Sequence, residues 1–353
     1  SKVPVLKGNT NTATLMAFGF NPHLSSWSPF HGAVYAVIEA IAKITAMGGD
    51  YRKVRLSLQE YFEKLGHDPR KWGKPLAALL GALYAQEKLG IPAVGGKDSM
   101  SGTFEDLNVP PTLVAFAIVT ADARCIISPE FKSTDSTLIL LPLERDEYDL
   151  PNFDQLEKNY ALVYELIQKG KILAAHSVRG GGIAEAVSKM CFGNGIGFMF
   201  RPVDPEFLFQ PLYGSLLLEV PNDVDIDKQF SGIPYQVLGT TQKNEVITVG
   251  GEEISLKAVL RAWDSTLEPI FPTKPDGEIQ DIKLSSLYDK PNKQRPLISN
   301  AAPRVFIPIF PGANSEQDFI RAFESAGGVS DLLVMRNLTS EEIQEALIIL
   351  SEK

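Results

Sequence analysis

The run Ile91-Pro92-Ala93-Val94-Gly95-Gly96-Lys97-Asp98-Ser99-Met100-Ser101 decides how this chain is read. Residues 91–94 predict a short strand, and 95–101 a loop whose glycines let the backbone approach a ligand closely. Helical spacing over 75–89 leads up to it and stops at Gly90. Downstream, 112–120 is apolar without a break, which predicts a strand buried on both faces. Upstream, Ala33, Val37, Ala40, Ile41 and Ile44 recur at helical spacing. Ser28-Pro29 starts that helix, over 31–47, and Gly48-Gly49 stops it.

A second block begins near Ser136. Strands are predicted over 137–143, 172–177, 196–200, 215–220, 235–240 and 245–249, with helices over 156–168, 183–190 and 256–266. Between 172–177 and the next helix lies Arg179-Gly180-Gly181-Gly182. Residues 272–303 are polar and rich in Pro, Lys and Asp, and read as a linker or wrapping segment. Beyond them a strand (304–310), a helix (315–326), a strand (331–335) and a helix (340–351) form the opening of a parallel α/β sheet. About 50 residues seldom make a stable domain of this kind, so this last fold is expected to stop short of completion.

Composition excludes several classes. Hydrophobic residues are 44% and charged residues 22% of the 353, as in ordinary globular chains. The net charge of -9 argues against nucleic acid as a partner. No apolar run approaches the roughly 20 residues that cross a bilayer, and 1–4 has no signal-peptide core. Cys125 and Cys191, the two cysteines, cannot form a disulfide scaffold or a four-cysteine zinc site, and both read as reduced core residues. A cytoplasmic protein without membrane attachment is expected.

Several segments can carry chemistry. In 95–99, Lys97 can neutralise phosphate, Ser99 can donate a hydrogen bond and Asp98 can hold a metal. The spacing is not that of a Walker A loop. A tight turn with a solvated Lys-Asp pair is the plainer reading. Arg179-Gly180-Gly181-Gly182 would aim backbone N–H groups and a helix start at an anion, or be a turn needed only for packing. Glu39 and Lys43, at i and i+4, read by themselves as a surface ion pair worth a few tenths of a kcal/mol. The histidines, His23, His31, His67 and His176, show no H-x-x-x-H spacing. His176, beside the glycine run, reads either as a ligand contact or as a packed side chain. No G-x-S-x-G elbow is present.

Together, Ser26-Trp27-Ser28-Pro29-Phe30-His31-Gly32-Ala33, Gly95-Gly96-Lys97-Asp98-Ser99-Met100-Ser101, Val109-Pro110-Pro111-Thr112-Leu113-Val114 and Lys189-Met190-Cys191-Phe192-Gly193-Asn194 resemble the second half of phosphoribosylformylglycinamidine synthase, in its large single-chain form. The resemblance covers nearly the whole chain. It implies an α/β (α+β) fold of two aminoimidazole-ribonucleotide-synthetase-like subdomains, followed by the start of a flavodoxin-like glutaminase. On this layout 1–122 is the first subdomain, without its earliest strands. Residues 135–300 are the second, with its linker, and 304–353 a truncated glutaminase. Phe310-Pro311-Gly312-Ala313-Asn314-Ser315-Glu316 matches the glutaminase start. In the family the whole enzyme uses ATP and glutamine to turn formylglycinamide ribonucleotide into its amidine in purine biosynthesis.

The resemblance also marks departures. The glutaminase nucleophile is a later Cys, with a later His, and no Cys follows Cys191 and no His follows His176. The synthetase active site lies mainly in the other half. This chain alone is therefore expected to be inactive, and no catalytic residue is assigned. In the family the second half can hold an auxiliary nucleotide with Mg²⁺, through a Glu and an Asn four apart and a D-x-S-D-G-G run. Glu39 matches the Glu, but Lys43 stands for the Asn, Ser177 for the first Asp, Arg179 for the Ser and Gly180 for the second Asp. The expected nucleotide-binding residues are Gly95, Gly96, Lys97, Asp98, Ser99, Arg179, Gly180, Gly181, Gly182 and Lys43, with Glu39 the candidate metal ligand. The expectation is that Mg²⁺ is lost, with Lys43 pairing Glu39 and Asp98 in its place. The partners implied are the remaining parts of the same enzyme, or a second copy docked on a sheet face that the other half would cover. A free-standing ATP-using enzyme of the kinase-like relatives and a pure docking module are the alternatives.

Overall fold

A computed structural model of the chain describes residues 2–3, 9–274 and 301–351. Two compact units divide it, Ser1–Lys274 and Pro275–Lys353. The first opens with strand β1 (Thr12–Gly19), helices α1 (Pro22–Trp27) and α2 (Pro29–Ala46), strand β2 (Arg55–Tyr61), helix α3 (Pro69–Leu89) and strand β3 (Ala93–Lys97). A small hairpin, β4 (Thr103–Phe104) and β5 (Leu107–Asn108), leads to the long strand β6 (Thr112–Asp122). The Ser28 side chain accepts from the His31 N–H and caps α2, as the Ser-Pro signal predicted. Helix α3 begins at Pro69 rather than at 75, because Asp68 caps it and Pro69 fits the first turn; Pro75 lies inside the helix.

These four long strands form a sheet in the order β1-β6-β2-β3, antiparallel except for the parallel β2–β3 pair. Here the expectation for 112–120 is corrected. Strand β6 buries Leu113, Ala115, Ala117 and Val119 but exposes Phe116 and Ile118, at 46% and 41%. The register sets Met16 against Ile118 and Phe18 against Phe116, so one apolar face of the sheet stays open. Met16 is 67% and Phe18 54% exposed. An apolar run says that both faces are apolar; it does not say that both are covered.

The rest of the unit comprises β7 (Thr137–Leu141), α4 (Phe153–Gln168), β8 (Ala174–Ser177), α5 (Gly182–Phe192), β9 (Gly197–Phe200), α6 (Pro205–Leu208) and β10 (Leu216–Val220). It closes with α7 (Ile226–Gln229), β11 (Gln236–Gln242), β12 (Val246–Val249), β13 (Glu252–Ser255) and α8 (Leu256–Asp264). The second sheet runs β13-β12-β9-β11-β7-β10-β8. Helix α2 is buried without interruption from Gly32 to Ala42, Glu39 included, which makes it a core helix rather than a surface one. One core runs from the first sheet through α2 and α4 to one face of the second sheet, with Leu15, Ile38, Tyr160 and Leu218 among its members. Helix α5 covers the opposite face with Ile183, Val187 and Met190. Each fully buried side chain of this size contributes about 1.5–3 kcal/mol. Cys191 lies in that core, where burial pushes its thiol up to about 12. Cys125 is only half-buried, on a short 3-10 turn, contrary to the expectation of a core residue.

In the second unit β14 (Arg304–Ile309) and β15 (Val329–Val334) pair in parallel, joined through helix α9 (Glu316–Ser325) and followed by α10 (Ser340–Ser351). Arg304 and Asp331 bridge the two strands. The linker reading of 272–303 falls largely on 275–300, outside the described residues. Among the described residues no helix is long and apolar enough to cross a membrane.

Candidate functional site

Of the charged residues singled out in the sequence, Glu39, Lys43 and Arg179 gather where α2 passes β8 and the start of α5. Glu39 and Lys43 lie one turn apart on α2, with Lys43 Nζ 2.6 Å from Glu39 Oε1. The surface-pair reading fails here, since Glu39 is only 9% exposed. Lys43 also donates to the Phe18 carbonyl at 2.7 Å and sits 4.5 Å from the centre of the Phe18 ring. Burial pulls its ammonium below the usual lysine range, against the pull of Glu39.

Arg179, two residues past β8, continues the chain of charges. Its Nη1 is 3.8 Å from Glu39 Oε1 and its Nη2 3.2 Å from Glu185 Oε1. Glu185 also accepts from Lys189, one turn further along α5, and its Oε2 accepts the Gly181 N–H at 3.1 Å. Burial would raise the Glu185 carboxyl, but the Lys189 hydrogen bond and the charges of Arg179 and Lys189 hold it below the usual range. Thus Lys43, Glu39, Arg179, Glu185 and Lys189 alternate in sign. The start of α5, which the glycine run predicted would face an anion, carries this protein's own carboxylate.

The glycines explain the local path. Gly182, read as part of the loop, is the first residue of α5 with φ +69°, and a Cβ on it would come within 2.4 Å of the Leu208 carbonyl oxygen. Gly180 and Gly181 precede it, and a Cβ on Gly180 would touch the Tyr213 hydroxyl, which itself accepts from Asn21 at 2.6 Å. His176 Nδ1–H donates to the Ser177 carbonyl at 2.7 Å. Burial, with Arg179 and Lys189 nearby, pushes its imidazole down to about 4, so it is neutral. A cavity of about 380 Å³ is lined by Met16, Phe18, Lys43, His176 and Arg179. A larger one, about 730 Å³, lies beyond α5 among apolar side chains that include Phe200, Ile247 and Trp263, and shares Glu185 and Lys189 as its polar rim.

The second cluster is built differently from the expectation. Gly95, Gly96 and Lys97 are not loop but the end of β3, paired with β2. A Cβ on Gly96 would lie 2.3 Å from the Leu58 carbonyl oxygen, so close strand packing demands that glycine. Lys97 Nζ turns to the Asp98 carbonyl at 3.2 Å, and the Ser99 and Ser101 hydroxyls pair at 2.9 Å. Lys43 pairs with Glu39 and not with Asp98, whose carboxylate instead bears on Glu60. Among the described residues no ion pair or hydrogen bond joins the 95–99 cluster to the Glu39 chain. Glu185, Lys189 and Glu60 escaped the sequence reading. The i, i+4 spacing of Glu185 and Lys189 was visible, and Glu60 stands at a core parity of β2 after Leu56 and Leu58.

A resident Mg²⁺ at Glu39 does not fit these residues. An ammonium and a guanidinium already face its carboxylate. Among the described residues no three His, Cys, Asp or Glu side chains assemble into a metal-holding group.

Fold and site together define a two-sheet unit of mixed helices and strands, with side chains of alternating charge gathered where α2 passes β8. The fold is that of Thermotoga maritima PurL complexed with ATP, with a TM-score of 0.57 at 16% identity over 72% of this chain and 47% of that one. The structure of PurLQS from Thermotoga maritima matches with a TM-score of 0.57 at 14% identity, over 70% of this chain and 44% of that one. By sequence the chain is similar to phosphoribosylformylglycinamidine synthase subunit PurL of Thermus thermophilus, 26% identical over 280 residues, which are 71% of this chain and 38% of the relative. The family resemblance read from the sequence is thereby borne out. A herpesvirus protein, the probable membrane antigen 75 of Saimiriine herpesvirus 2, is also similar, 25% identical over 308 residues, 75% of this chain and 22% of that protein. The chain thus spans well under half the length of these curated relatives. No family model matches it.

Proposed function

We propose that this chain is the second synthetase-like half, with the start of the glutaminase, of an enzyme that uses ATP and glutamine to convert formylglycinamide ribonucleotide to formylglycinamidine ribonucleotide in purine biosynthesis. In this reading the chain is a structural half, inactive alone, whose auxiliary nucleotide site has given up Mg²⁺. The observation that carries it is the closed charge chain. Lys43 and Arg179 neutralise Glu39, and Glu185 occupies the Gly181 N–H that a phosphate would use. A divalent ion brought to Glu39 would meet two fixed cations, and a phosphate at Gly181 would meet a carboxylate. The relatives solved with ATP and ADP support a nucleotide site in proteins of this fold.

Calorimetric titration with ADP and ATP, with and without Mg²⁺, tests the reading. No Mg²⁺-dependent binding is expected from the chain itself, and its appearance in the combined variant K43N/S177D/R179S. Mg²⁺-dependent binding in the micromolar range by the unaltered chain would refute it.

A docking role has its own observation, the open face of Met16, Phe18, Phe116 and Ile118. We infer that this face is covered by the other half of the enzyme or, in the isolated chain, by a second copy. A monomer by light scattering at micromolar concentration would contradict the second copy.

A further inference from the structure

Helix α5 presents two kinds of side chain. Ile183, Val187 and Met190 pack into the core of the second sheet. Gly181, Ala184 and Ser188, small residues three and four apart, border the cavity of about 730 Å³ and leave it room. Small-molecule sites span roughly 300–1,000 Å³ and are apolar with few polar groups. Helix α8 adds Val259 and Trp263 to the lining. Its apolar face, Leu256, Val259, Leu260 and Trp263, follows helical spacing, yet only Leu256 is buried. Trp263 is 56% and Phe209, another wall residue, 65% exposed. Exposed aromatic side chains around an apolar hollow are the mark of a ligand site.

The polar rim has one donor to spare. Lys189 Nζ donates to Glu185 Oε1 and stands 5.4 Å from the centre of the Trp263 ring, which stacks on Phe192 at 5.9 Å. An ammonium has three protons, and among the described residues only Glu185 accepts from this one. Glu185 itself is fully engaged by Lys189, Arg179 and the Gly181 N–H. Ser188 turns back to the Ala184 carbonyl at 2.7 Å. The charge chain from Lys43 to Lys189 sets three cations against two carboxylates, so one positive charge is unmatched. Lys43, at one end, already bonds Glu39 and the Phe18 carbonyl, whereas Lys189, at the other, borders the cavity. Glu252 also borders it, but lies exposed at the start of β13, where water and salt screen its charge.

We propose that this cavity binds a small amphipathic monoanion, an apolar or aromatic body bearing one carboxylate, with the acid group on Lys189 and the body against Trp263 and Phe209. The body takes exposed aromatic surface out of water, and the carboxylate supplies the acceptor that Lys189 lacks and balances the unmatched charge. A phosphate-rich ligand fits poorly, since its several negative charges would meet one cation beside the Glu185 carboxylate. The lining shares no residue with the cavity at Lys43 and His176. The site therefore stands whether or not the auxiliary nucleotide site is lost.

The test is a fluorescence titration of the 353-residue chain with anilinonaphthalene sulfonate, an aromatic monoanion that brightens in apolar surroundings. Displacement by dodecanoate and by dodecylamine, both below their micelle concentrations, follows. Ala184→Trp fills the cavity, Lys189→Met removes the ammonium but keeps its stem, and Phe18→Ser alters the open face of the first sheet, the other apolar surface. One dye per chain is expected in the cavity, released by dodecanoate and not by dodecylamine. Ala184→Trp and Lys189→Met should each weaken it at least about tenfold, and Phe18→Ser should leave it unchanged. Thermal melts accompany each variant, so that lost binding is not lost folding. Trp263→Ala, at an exposed position, repeats the test should Ala184→Trp fail to fold, and is expected to weaken the dye as well. The proposal is overturned if no dye binds, if binding survives the cavity changes, if Phe18→Ser alone removes it, or if dodecylamine displaces it as well as dodecanoate does.

Discussion

Replacing Lys43 by Met tests the charge chain most directly. The change keeps the apolar stem and removes the ammonium that lies 2.6 Å from Glu39 and 2.7 Å from the Phe18 carbonyl. Glu39, 9% exposed, is then left with Arg179 at 3.8 Å. Stripping one partner from a fully buried pair costs about 3–5 kcal/mol, and a hydrogen bond to a charged group contributes about 1.5–3 kcal/mol. Arg179 takes over part of the task, and the Lys43 side chain keeps 22% exposure, so the lower end applies. The expected loss is about 2 kcal/mol, or roughly 4–8 °C in melting temperature for a unit of this size. Thermal and urea unfolding followed by circular dichroism measure it. The double variant Lys43→Met with Glu39→Gln should recover about 1–2 kcal/mol, because no charge is then left buried and unpaired. A melting temperature within about 1 °C of the parent for Lys43→Met, or strictly additive single changes, would refute the reasoning.

Four further outcomes are expected. His176 binds its proton more weakly folded, at about 4 against 6.5, so stability should fall as pH drops from 6.5 to 4, and His176→Gln should flatten that slope in pH-dependent melts. Glu60 holds its proton more tightly folded, at about 7 against 4.5, so its contribution is full below 4.5 and lost as pH rises through 7; Glu60→Gln should be the more stable protein above pH 7. Gly182→Ala should cost about 2–4 kcal/mol by urea unfolding, since its φ of +69° and the Leu208 oxygen at 2.4 Å both oppose a Cβ. Phe18→Ser should shift the isolated chain from dimer to monomer by light scattering, and a parent that is already monomeric would end the second-copy reading.

The longer helices and most strands were legible in the residues, because local signals and period act over a few positions, whereas the short helices α1, α6 and α7 were not read. The Ser28 cap, the Gly90 stop and the repeat of apolar residues in α2 and α4 each match an observed element. The parallel β14–β15 pair was legible too, from a strand-helix-strand order that leaves few other connections. Strands β1 and β2 were not read, because polar residues interrupt their apolar ones, and with them went Glu60.

What the sequence by itself determined is the inventory: which residues carry charge beside glycines, that Glu39 and Lys43 share a helix face, and that Arg179 precedes a helix start. Only the tertiary structure decided the pairings. Arg179 reaches Glu39 on α2, Lys43 donates to the Phe18 carbonyl of β1, and Gln59 of β2 pairs with Lys97 of β3. Those outcomes depend on how α2 crosses β8 and on the β2–β3 register. Contacts between residues tens to over a hundred positions apart are fixed by packing and burial, whereas helical and strand periodicity report only on neighbours along the chain.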